Sequence, residues 1–444
     1  MLNRFLFQKI DNSPLVVFRI FLGILIALEG FGAIATGWVR RAFIEPDFTF
    51  HFIGFDWLQP LPGYGMYFYF AIMGILGICI ALGYRYRLSI ICFALMWWAV
   101  YLMQKTSYNN HYYLLALIAS IMCFLPAHRA CSLDARRQPG IRSDAMFAYV
   151  KWVVILQLFI VYTYAAIAKL YGDWLNFTFL EILLESKSGY PVVGSLFEMS
   201  WFQKFIGISG FLFDLLIIPA LLWKPTRNFA FGCSIFFHLF NSLVFQIGIF
   251  PYLALAFTVF FFEPETIQRL FLKGKKIFSP VSTGPPGYKK PLLLFAGLYF
   301  LIQLLLPLRH HFIEGDVLWT EEGHRLSWRM MLRNRTGNVM FRVVHKKDQK
   351  TEYINLRHYL TKKQRNKIAA YPDFIWQFAQ HLKEKYTQQG IDIEVYADSR
   401  VSINGRPPSR LIDPKIDLSR VSWDPLRHHQ WILPAPWESG ESPD

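Results

Sequence analysis

The stretch "VVILQLFIVYTYAAIAKL" (153–170) decides the fold class, because Lys169 is its only charged residue. An apolar run of about 18 residues is long enough to cross the hydrocarbon layer of a bilayer. The chain is 54% hydrophobic, and eight similar blocks lie at about 14–36, 66–83, 88–103, 111–126, 204–223, 229–247, 250–264 and 290–308. The sequence therefore predicts a polytopic α-helical membrane bundle of about nine transmembrane helices, with the lipid bilayer as a partner.

The charge distribution predicts the orientation of these spans. With a cytoplasmic N-terminus, the outer loops hold only Arg40, Arg41, Lys105, Lys187 and Lys204. The other loops hold Arg4, Lys9, Arg85, Arg87, Arg129, Arg136, Arg137, Arg142, Lys224, Arg227, Arg269, Lys273, Lys275, Lys276, Lys289 and Lys290. This is the positive-inside bias. It explains the net charge of +15 without a nucleic acid partner, and it places the chain after residue 308 outside the cytoplasm.

The chain divides by composition into a membrane domain, residues 1–308, and an extracytoplasmic domain, residues 309–444. The second part has mixed charge, and "HRLSWRMML", "NVMFRVVHKK" and "TEYINL" alternate like strands. "IDIEVYADSRVSING" is typical of a strand pair, whereas residues 361–390 are helical with a break near Pro372 and an end at Gly390. We expect a β-rich α+β domain.

Four polar and aromatic clusters fall on the predicted outer side. They are "KTSYNNHYYL" (105–114), Lys169 itself, "FHLFNSLVFQIGIFPY" (237–252) and "WTEEGHRLSWRMML" (319–332). Separate polar groups that converge at one end of a bundle are what a binding site requires. The five cysteines lie in or beside the spans, and the doublets His310-His311 and His428-His429 are interpreted as surface residues. No metal site is predicted.

Lys169 admits two interpretations. An interfacial lysine usually extends its ammonium into water. Alternatively, apolar and tyrosine neighbours favour the uncharged amine, which can accept a proton at ordinary pH. A phenol-like acid is a suitable donor, and a lipid-soluble phenol such as a quinol reaches the amine from the bilayer. His238 and Asn241 share one helix face within a span, where a polar pair is either functional or interhelical.

These clusters resemble stretches of the vitamin K-dependent gamma-glutamyl carboxylase family. "KTSYNNHYYL" is similar to that family's Asn-His segment, and "FIVYTYAAIAKLYGDW" (159–174) is similar to the segment with its catalytic lysine. "FHLFNSLVFQIGIFPY" resembles a third family motif. "SWRMM", "VSING" and "DPKIDL" follow in the family's order. The resemblance covers nearly the whole chain.

The resemblance implies an integral membrane enzyme with two coupled reactions. Oxygen converts a reduced naphthoquinone, either vitamin K hydroquinone or menaquinol, to the epoxide. The strong base formed in this reaction removes a γ-proton from glutamate in a peptide or protein substrate, and the glutamate then takes up CO2. No metal is implied. The compact chain suggests a bacterial relative in the inner membrane.

The resemblance also implies roles for individual residues. The family's catalytic base falls on Lys169, and its Asn-His pair falls on Asn110 and His111, which we expect to orient the quinone oxygens. The expected quinone contacts are Tyr108, Asn109, His238, Asn241, Met330 and Met331. The expected contacts of the glutamate substrate are Trp319, His324, Ser327 and Trp328.

Four residues differ from the animal members of the family. Ala168 stands where those members have a second lysine, and His324 stands where they have a tyrosine. Arg329 and Arg333 replace an acid and a histidine. Two alternatives therefore stay open: a quinol epoxidase that does not carboxylate, and a non-catalytic membrane scaffold or transporter with the same helical bundle.

Overall fold

The computed structural model describes residues 2–282 and 284–439. The chain forms two compact units. The first consists of Met1–Ile44, His51–Thr163 and Leu212–Ile302. The second consists of Glu45–Phe50, Tyr164–Phe211 and Gln303–Asp444, so it gathers the segment of Lys169 with the C-terminal residues.

Nine apolar helices form the membrane part: α1 (Ser13–Ala35), α2 (Gly65–Leu82), α3 (Tyr86–Met103), α4 (Asn110–Phe124), α5 (Ala148–Ile167), α6 (Ser200–Leu222), α7 (Arg227–Phe245), α8 (Phe250–Phe257) and α9 (Lys289–Leu305). Among the described residues, seven of these helices are long and apolar enough to cross a membrane. The other two, α4 and α8, are shorter, and a 3-10 turn extends α8 to Phe261. The predicted helical membrane bundle is confirmed.

Glycines let α1 and α2 pack closely in the first unit. A Cβ atom on Gly77 would lie 2.5 Å from the backbone nitrogen of Ala27, and one on Gly23 would lie 2.3 Å from that of Ala81. Small residues at such positions allow membrane helices to approach backbone to backbone. The backbones of α1 and α2 therefore lie in close contact at these glycines.

The predicted cytoplasmic side of the first unit is fixed by buried charges. The strands β1 (Lys9–Asp11) and β2 (Ala145–Phe147) pair antiparallel, with Lys9 opposite Phe147. The carboxylate of Asp11 accepts from Nζ of Lys275 at 3.1 Å. Arg19 is fully buried and donates to the carbonyl oxygens of Ala127 and Cys131. A short helix, Leu2–Phe7, precedes the first span, and further short helices lie between later spans at Leu133–Arg137, Gly172–Leu175, Thr178–Glu185, Gly194–Phe197 and Pro264–Phe271.

The second unit contains a four-stranded antiparallel sheet with the order β4-β3-β5-β6. Its long strands are β3 (Arg335–His345) and β5 (Ile393–Ile403), and its edges are β4 (Thr351–Tyr353) and β6 (Ser409–Arg410). The register sets Arg335 opposite Ile403 and Phe341 opposite Ala397. The helices α10 (Lys362–Ile368) and α11 (Pro372–Gln388) complete the predicted α+β domain. Short helices lie at Val317–Thr320 and Pro436–Ser439.

The core of this domain lies between one face of the sheet and α11. Val343, Val395, Phe374 and Phe378 are almost fully buried there. The break before α11 occurs where it was predicted, because Pro372 occupies the first turn of a helix, where its missing N–H costs nothing.

Two strand predictions were wrong. "HRLSWRMML" (324–332) forms turns, because Leu326, Trp328 and Met331 have φ values of 61°, 57° and 50°. This left-handed conformation interrupts a strand in spite of the alternating pattern. "IDIEVYADSRVSING" holds a single long strand, β5, rather than a strand pair. Its inward residues continue through Ser399 and Val401 into one buried face, and only its end at Asn404 turns.

Candidate functional site

The Asn-His segment of the first unit is organised by the start of α4. Asn109 caps this helix by accepting from the backbone N–H of Tyr112 at 2.7 Å. The hydroxyl of Tyr108 donates to Oδ1 of Asn110 at 3.0 Å. Asn110 is buried. The sequence forms this geometry because asparagine is a preferred N-cap residue.

Two predicted histidines are brought together around one aromatic ring. The ring of His111 stacks on Phe250 with centroids 4.5 Å apart, and the ring of His238 meets Phe250 edge-on at 5.9 Å. Asn241 lies one turn further along α7 and is also buried. α4, α7 and α8 thus place three predicted site residues around an apolar aromatic centre.

Each of these two imidazoles has one buried nitrogen, Nδ1, that could form a hydrogen bond with a ligand. Nδ1 of His111 and Nδ1 of His238 are buried and have no hydrogen-bond partner among the described residues. The other nitrogen of His238, Nε2, lies 3.2 Å from the hydroxyl of Tyr162. A buried polar atom without a partner is costly. Such an atom calls for an explanation, and a catalytic role or a bound ion or water are among the usual ones.

Lys169 is buried within the second unit and is only 6% exposed. Its Nζ donates to the carbonyl oxygen of Ala165 at 3.2 Å and lies 5.1 Å from the ring centroid of Trp174. The side chain therefore turns inward rather than extending into water. His111 belongs to the first unit, so the joint action of these two residues stays a prediction.

Asp173, the acidic residue near Lys169 in the sequence, forms an ion pair with Arg406. Both carboxylate oxygens of Asp173 accept from Arg406, at 2.5 and 2.6 Å, and Asn404 donates to one of them at 2.7 Å. Burial raises the pKa of the Asp173 carboxyl, but the hydrogen bonds from Arg406 and Asn404 outweigh it and leave the pKa below its usual value. Asp173 is therefore a charged group held by Arg406.

The predicted substrate motif forms a tightly bonded loop. Nε2 of His324 accepts from Arg333 at 2.6 Å, and the same guanidinium binds Glu321 at 2.5 and 2.6 Å. Burial lowers the pKa of the His324 imidazole well below 6.5, and Arg333 adds to this effect. The Ser327 hydroxyl donates to the carbonyl oxygen of Gly323 at 2.6 Å.

The large apolar side chains of this loop differ in accessibility. Trp319 and Trp328 are fully buried, and the indole of Trp319 donates to the carbonyl oxygen of Leu433 at 2.8 Å within the domain core. Met330 is half-buried, and Met331 is 39% exposed. Contact of these four residues with a ligand stays a prediction.

A cavity of about 720 Å³ lies within the second unit. The residues on either side of Lys169, Ala168 and Leu170, line it, together with Ser327. The ends of α5 and of the last membrane span contribute apolar lining, as do Val317, Leu318 and Ile403. The charged and imidazole groups of the lining are Asp173, His310, His311, Asp316, Arg329 and Arg406. Sequence reasoning missed this cavity because its walls come from distant segments.

The interpretation of the His428-His429 doublet as surface was wrong. His429 is buried, and its Nδ1 lies 2.6 Å from Oε1 of Glu322. Nδ1 of His428 lies 2.7 Å from the other oxygen of the same carboxylate. A buried carboxylate needs such partners, and the doublet supplies them to the loop that carries the predicted substrate motif.

Comparison with known families defines the class of protein. Its apolar helical bundle and β-containing domain make this chain an integral membrane protein. Residues 7–265 match the family model of the HTTM domain. Residues 288–438 match the model of the vitamin K-dependent gamma-carboxylase lumenal domain, in agreement with the predicted extracytoplasmic side. The chain belongs to the vitamin K-dependent gamma-carboxylase family. No solved structure matches it.

Proposed function

We propose that the protein is a quinol-dependent oxygenase and carboxylase that acts on glutamate at the outer face of a bacterial inner membrane. The family membership gives the general class, a gamma-carboxylase-like membrane protein. The observation that carries the finer proposal concerns the imidazoles of His111 and His238, which contact Phe250. Each has a buried Nδ1 without a hydrogen-bond partner among the described residues.

This arrangement fits a reduced naphthoquinone. The ligand is an aromatic bicycle with two oxygens, and Phe250 offers an aromatic surface while the two imidazoles offer polar atoms. The surrounding bundle is apolar, so the ligand exchanges its hydration for hydrocarbon contacts. His111, His238, Asn110 and Asn241 are the residues that would hold it. Bound there with oxygen, the quinol supplies the strong base that removes the glutamate γ-proton, after which the glutamate carbanion adds CO2.

The residues of this chain would contribute binding, orientation and one proton transfer. Lys169 is the proposed general base: its Nζ, which lies in a buried site, would accept the proton of the quinol hydroxyl. Asn110 and His111 are proposed to hold a quinone oxygen by fixed hydrogen bonds, which costs no reorganisation when charge develops. Burial excludes water, which would otherwise consume the base before it reaches glutamate.

The proposal is tested by product analysis. Purified protein in lipid nanodiscs receives reduced vitamin K or menaquinol, oxygen, radiolabelled CO2 and a glutamate-containing peptide. We expect quinone epoxide together with label in the peptide, and we expect no label without oxygen. Formation of neither product would contradict the proposal.

Epoxide without label would define a narrower activity. The differences of His324 and Arg333 from the animal members of the family motivate this alternative, since Arg333 binds both His324 and Glu321 within the loop. A scaffold or transporter, by contrast, would form no epoxide under any condition. The same assay therefore separates the three functions.

A further inference from the structure

Two connections between membrane spans are joined on the predicted cytoplasmic side of the first unit. One is the turn between α2 and α3, and the other contains the short helix Leu133–Arg137. The carboxylate of Asp134 accepts from the backbone N–H groups of Arg85 and Tyr86 at 2.8 and 2.9 Å. The backbone N–H of Asp134 donates to the carbonyl oxygen of Gly83 at 3.0 Å. These hydrogen bonds hold the short helix beside the turn.

This contact brings two guanidinium groups to one aromatic ring. Cζ of Arg137 lies 5.3 Å from the ring centroid of Tyr84, and Cζ of Arg85 lies 5.9 Å from the same point. Both arginines are exposed. Neither guanidinium forms an ion pair within the part of the chain that the structure describes, and both oxygens of Asp134 accept from backbone N–H groups. Two like charges held at one ring repel each other, and an anion bound by both would relieve this repulsion.

The surroundings of this ring carry an excess of positive charge. Residues 83–87 and 125–147 contain six arginines and two aspartates. The second aspartate is Asp144, and its Oδ1 lies 3.7 Å from Nζ of Lys275, a further cation. The positive-inside bias accounts for basic residues on this side of a membrane. It does not require two of them to meet at one ring, so their convergence indicates a site for an anion.

The neighbouring helix ends present apolar side chains to the bilayer. Leu82, at the end of α2, is 52% exposed, and Leu88, in the first turn of α3, is 56% exposed. Each leucine lies three residues from Arg85 in the sequence. Phe124, at the end of α4, is 81% exposed. Apolar side chains beside a basic group at the membrane surface match a ligand that has acyl chains and an anionic headgroup.

We propose that Arg85 and Arg137 bind the phosphate of an anionic phospholipid, such as phosphatidylglycerol, at the predicted cytoplasmic surface of the first unit. A guanidinium presents several N–H donors to phosphate oxygens, and the bonds are charge-assisted. A zwitterionic phospholipid fits less well, because the surplus of arginines repels its cationic group. This proposal is independent of the proposed catalytic function, in which these two arginines take no part.

Native mass spectrometry of the purified full chain tests the proposal. The probes are phosphatidylglycerol, phosphatidylethanolamine and phosphatidylcholine with identical acyl chains, and inorganic phosphate. We expect phosphatidylglycerol to give the most abundant and most persistent adduct. Equal adducts with the three lipids would indicate annular lipid without selectivity, and an equally strong adduct with inorganic phosphate would indicate a free-anion site; either result overturns the proposal.

Three substitutions separate a defined site from a general effect of charge. Arg85→Gln and Arg137→Gln should each weaken the phosphatidylglycerol adduct about fivefold, since one basic side chain at a membrane surface contributes about 1 kcal/mol to the attraction of anionic lipid. The matched control is Arg136→Gln. It removes the same charge from an exposed neighbour in the same short helix, which forms no cation–π contact with Tyr84 in the described chain, and should leave the adduct almost unchanged. Equal adducts for Arg136→Gln and Arg137→Gln would overturn the proposal.

A phosphatidylglycerol with a photoactivatable headgroup locates the site on the unmodified protein, even if a variant fails to fold. We expect cross-links to peptides that contain residues 80–90 and 133–142. Cross-links distributed evenly over both membrane surfaces would contradict the proposed site.

Discussion

His238 shows how one buried side chain can be positioned for a ligand. Its Nε2 is engaged by the Tyr162 hydroxyl, and its Nδ1 is buried without a hydrogen-bond partner among the described residues. When the hydroxyl donates, the neutral ring carries its proton on Nδ1 and becomes a hydrogen-bond donor at that atom. The intramembrane pair His238 and Asn241 could be predicted as site residues from helical spacing alone. Tyr162, the hydrogen-bond partner of His238, could not be predicted, because this contact joins α5 to α7.

Tyr162→Phe tests this positioning. The substitution removes one hydrogen bond, commonly worth about 0.5–1.5 kcal/mol, so the KM for the quinol should rise roughly 2- to 13-fold. Steady-state epoxide formation at varied quinol concentration measures the effect. The control Tyr64→Phe alters a residue that is 76% exposed and should leave KM unchanged. An unchanged KM for Tyr162→Phe would show that this hydroxyl has no positioning role.

His324 makes stability depend on pH with a definite sign. Its pKa in the folded protein is far below 6.5, so below pH 6.5 the unfolded chain binds a proton that the folded chain does not. Stability is therefore lost as pH falls from 6.5 towards the folded pKa, by up to about 1.4 kcal/mol per pH unit. His324→Gln should make the melting temperature fall less between pH 7 and 5.5. The control His358→Gln, at an exposed position, should behave like the parent protein; equal pH dependence in all three proteins would argue against this explanation.

At the scale of elements, hydrophobic pattern identified helices better than strands. Each membrane span must form its backbone hydrogen bonds within itself, so an apolar block of sufficient length forms a helix. The alternation in "HRLSWRMML" did not encode a strand; Arg325 instead forms a half-buried ion pair with Asp373 at 2.8 Å. Asp373 lies 48 residues further along the chain, so no local sequence pattern predicts this ion pair.

The contact of α1 with α2 can be broken by one added side chain. Gly77→Val would place carbon 2.5 Å from the Ala27 nitrogen and 2.8 Å from the Gly23 oxygen, both backbone atoms. Overpacking of this kind costs about 1–3 kcal/mol or more. We expect a lower melting temperature and a lower yield of monodisperse protein. Gly232→Val is the matched control, since a Cβ there meets no described atom within 4 Å. Equal stability of the two variants would contradict the close packing.

At the scale of the whole molecule, composition predicted the two kinds of structure but not how segments combine. Phe50 belongs to the second unit and stacks on Phe374 with centroids 4.6 Å apart. The carbonyl oxygen of Phe48 likewise accepts from Gln364. A linear division at residue 308 does not reveal such contacts, because they join residues more than 300 positions apart in the sequence. The same long-range assembly created the cavity near Lys169.

The central claim is that the buried amine of Lys169 starts quinol oxidation. Its most direct measurement compares epoxide formation by the parent protein, Lys169→Ala and the control Lys204→Ala, which alters an exposed lysine of the second unit. We expect the parent and the control to form epoxide and Lys169→Ala to form essentially none. A small added amine or high pH should restore part of the activity, because either one replaces the missing base. Full epoxide formation by Lys169→Ala at neutral pH without an added amine would contradict the account.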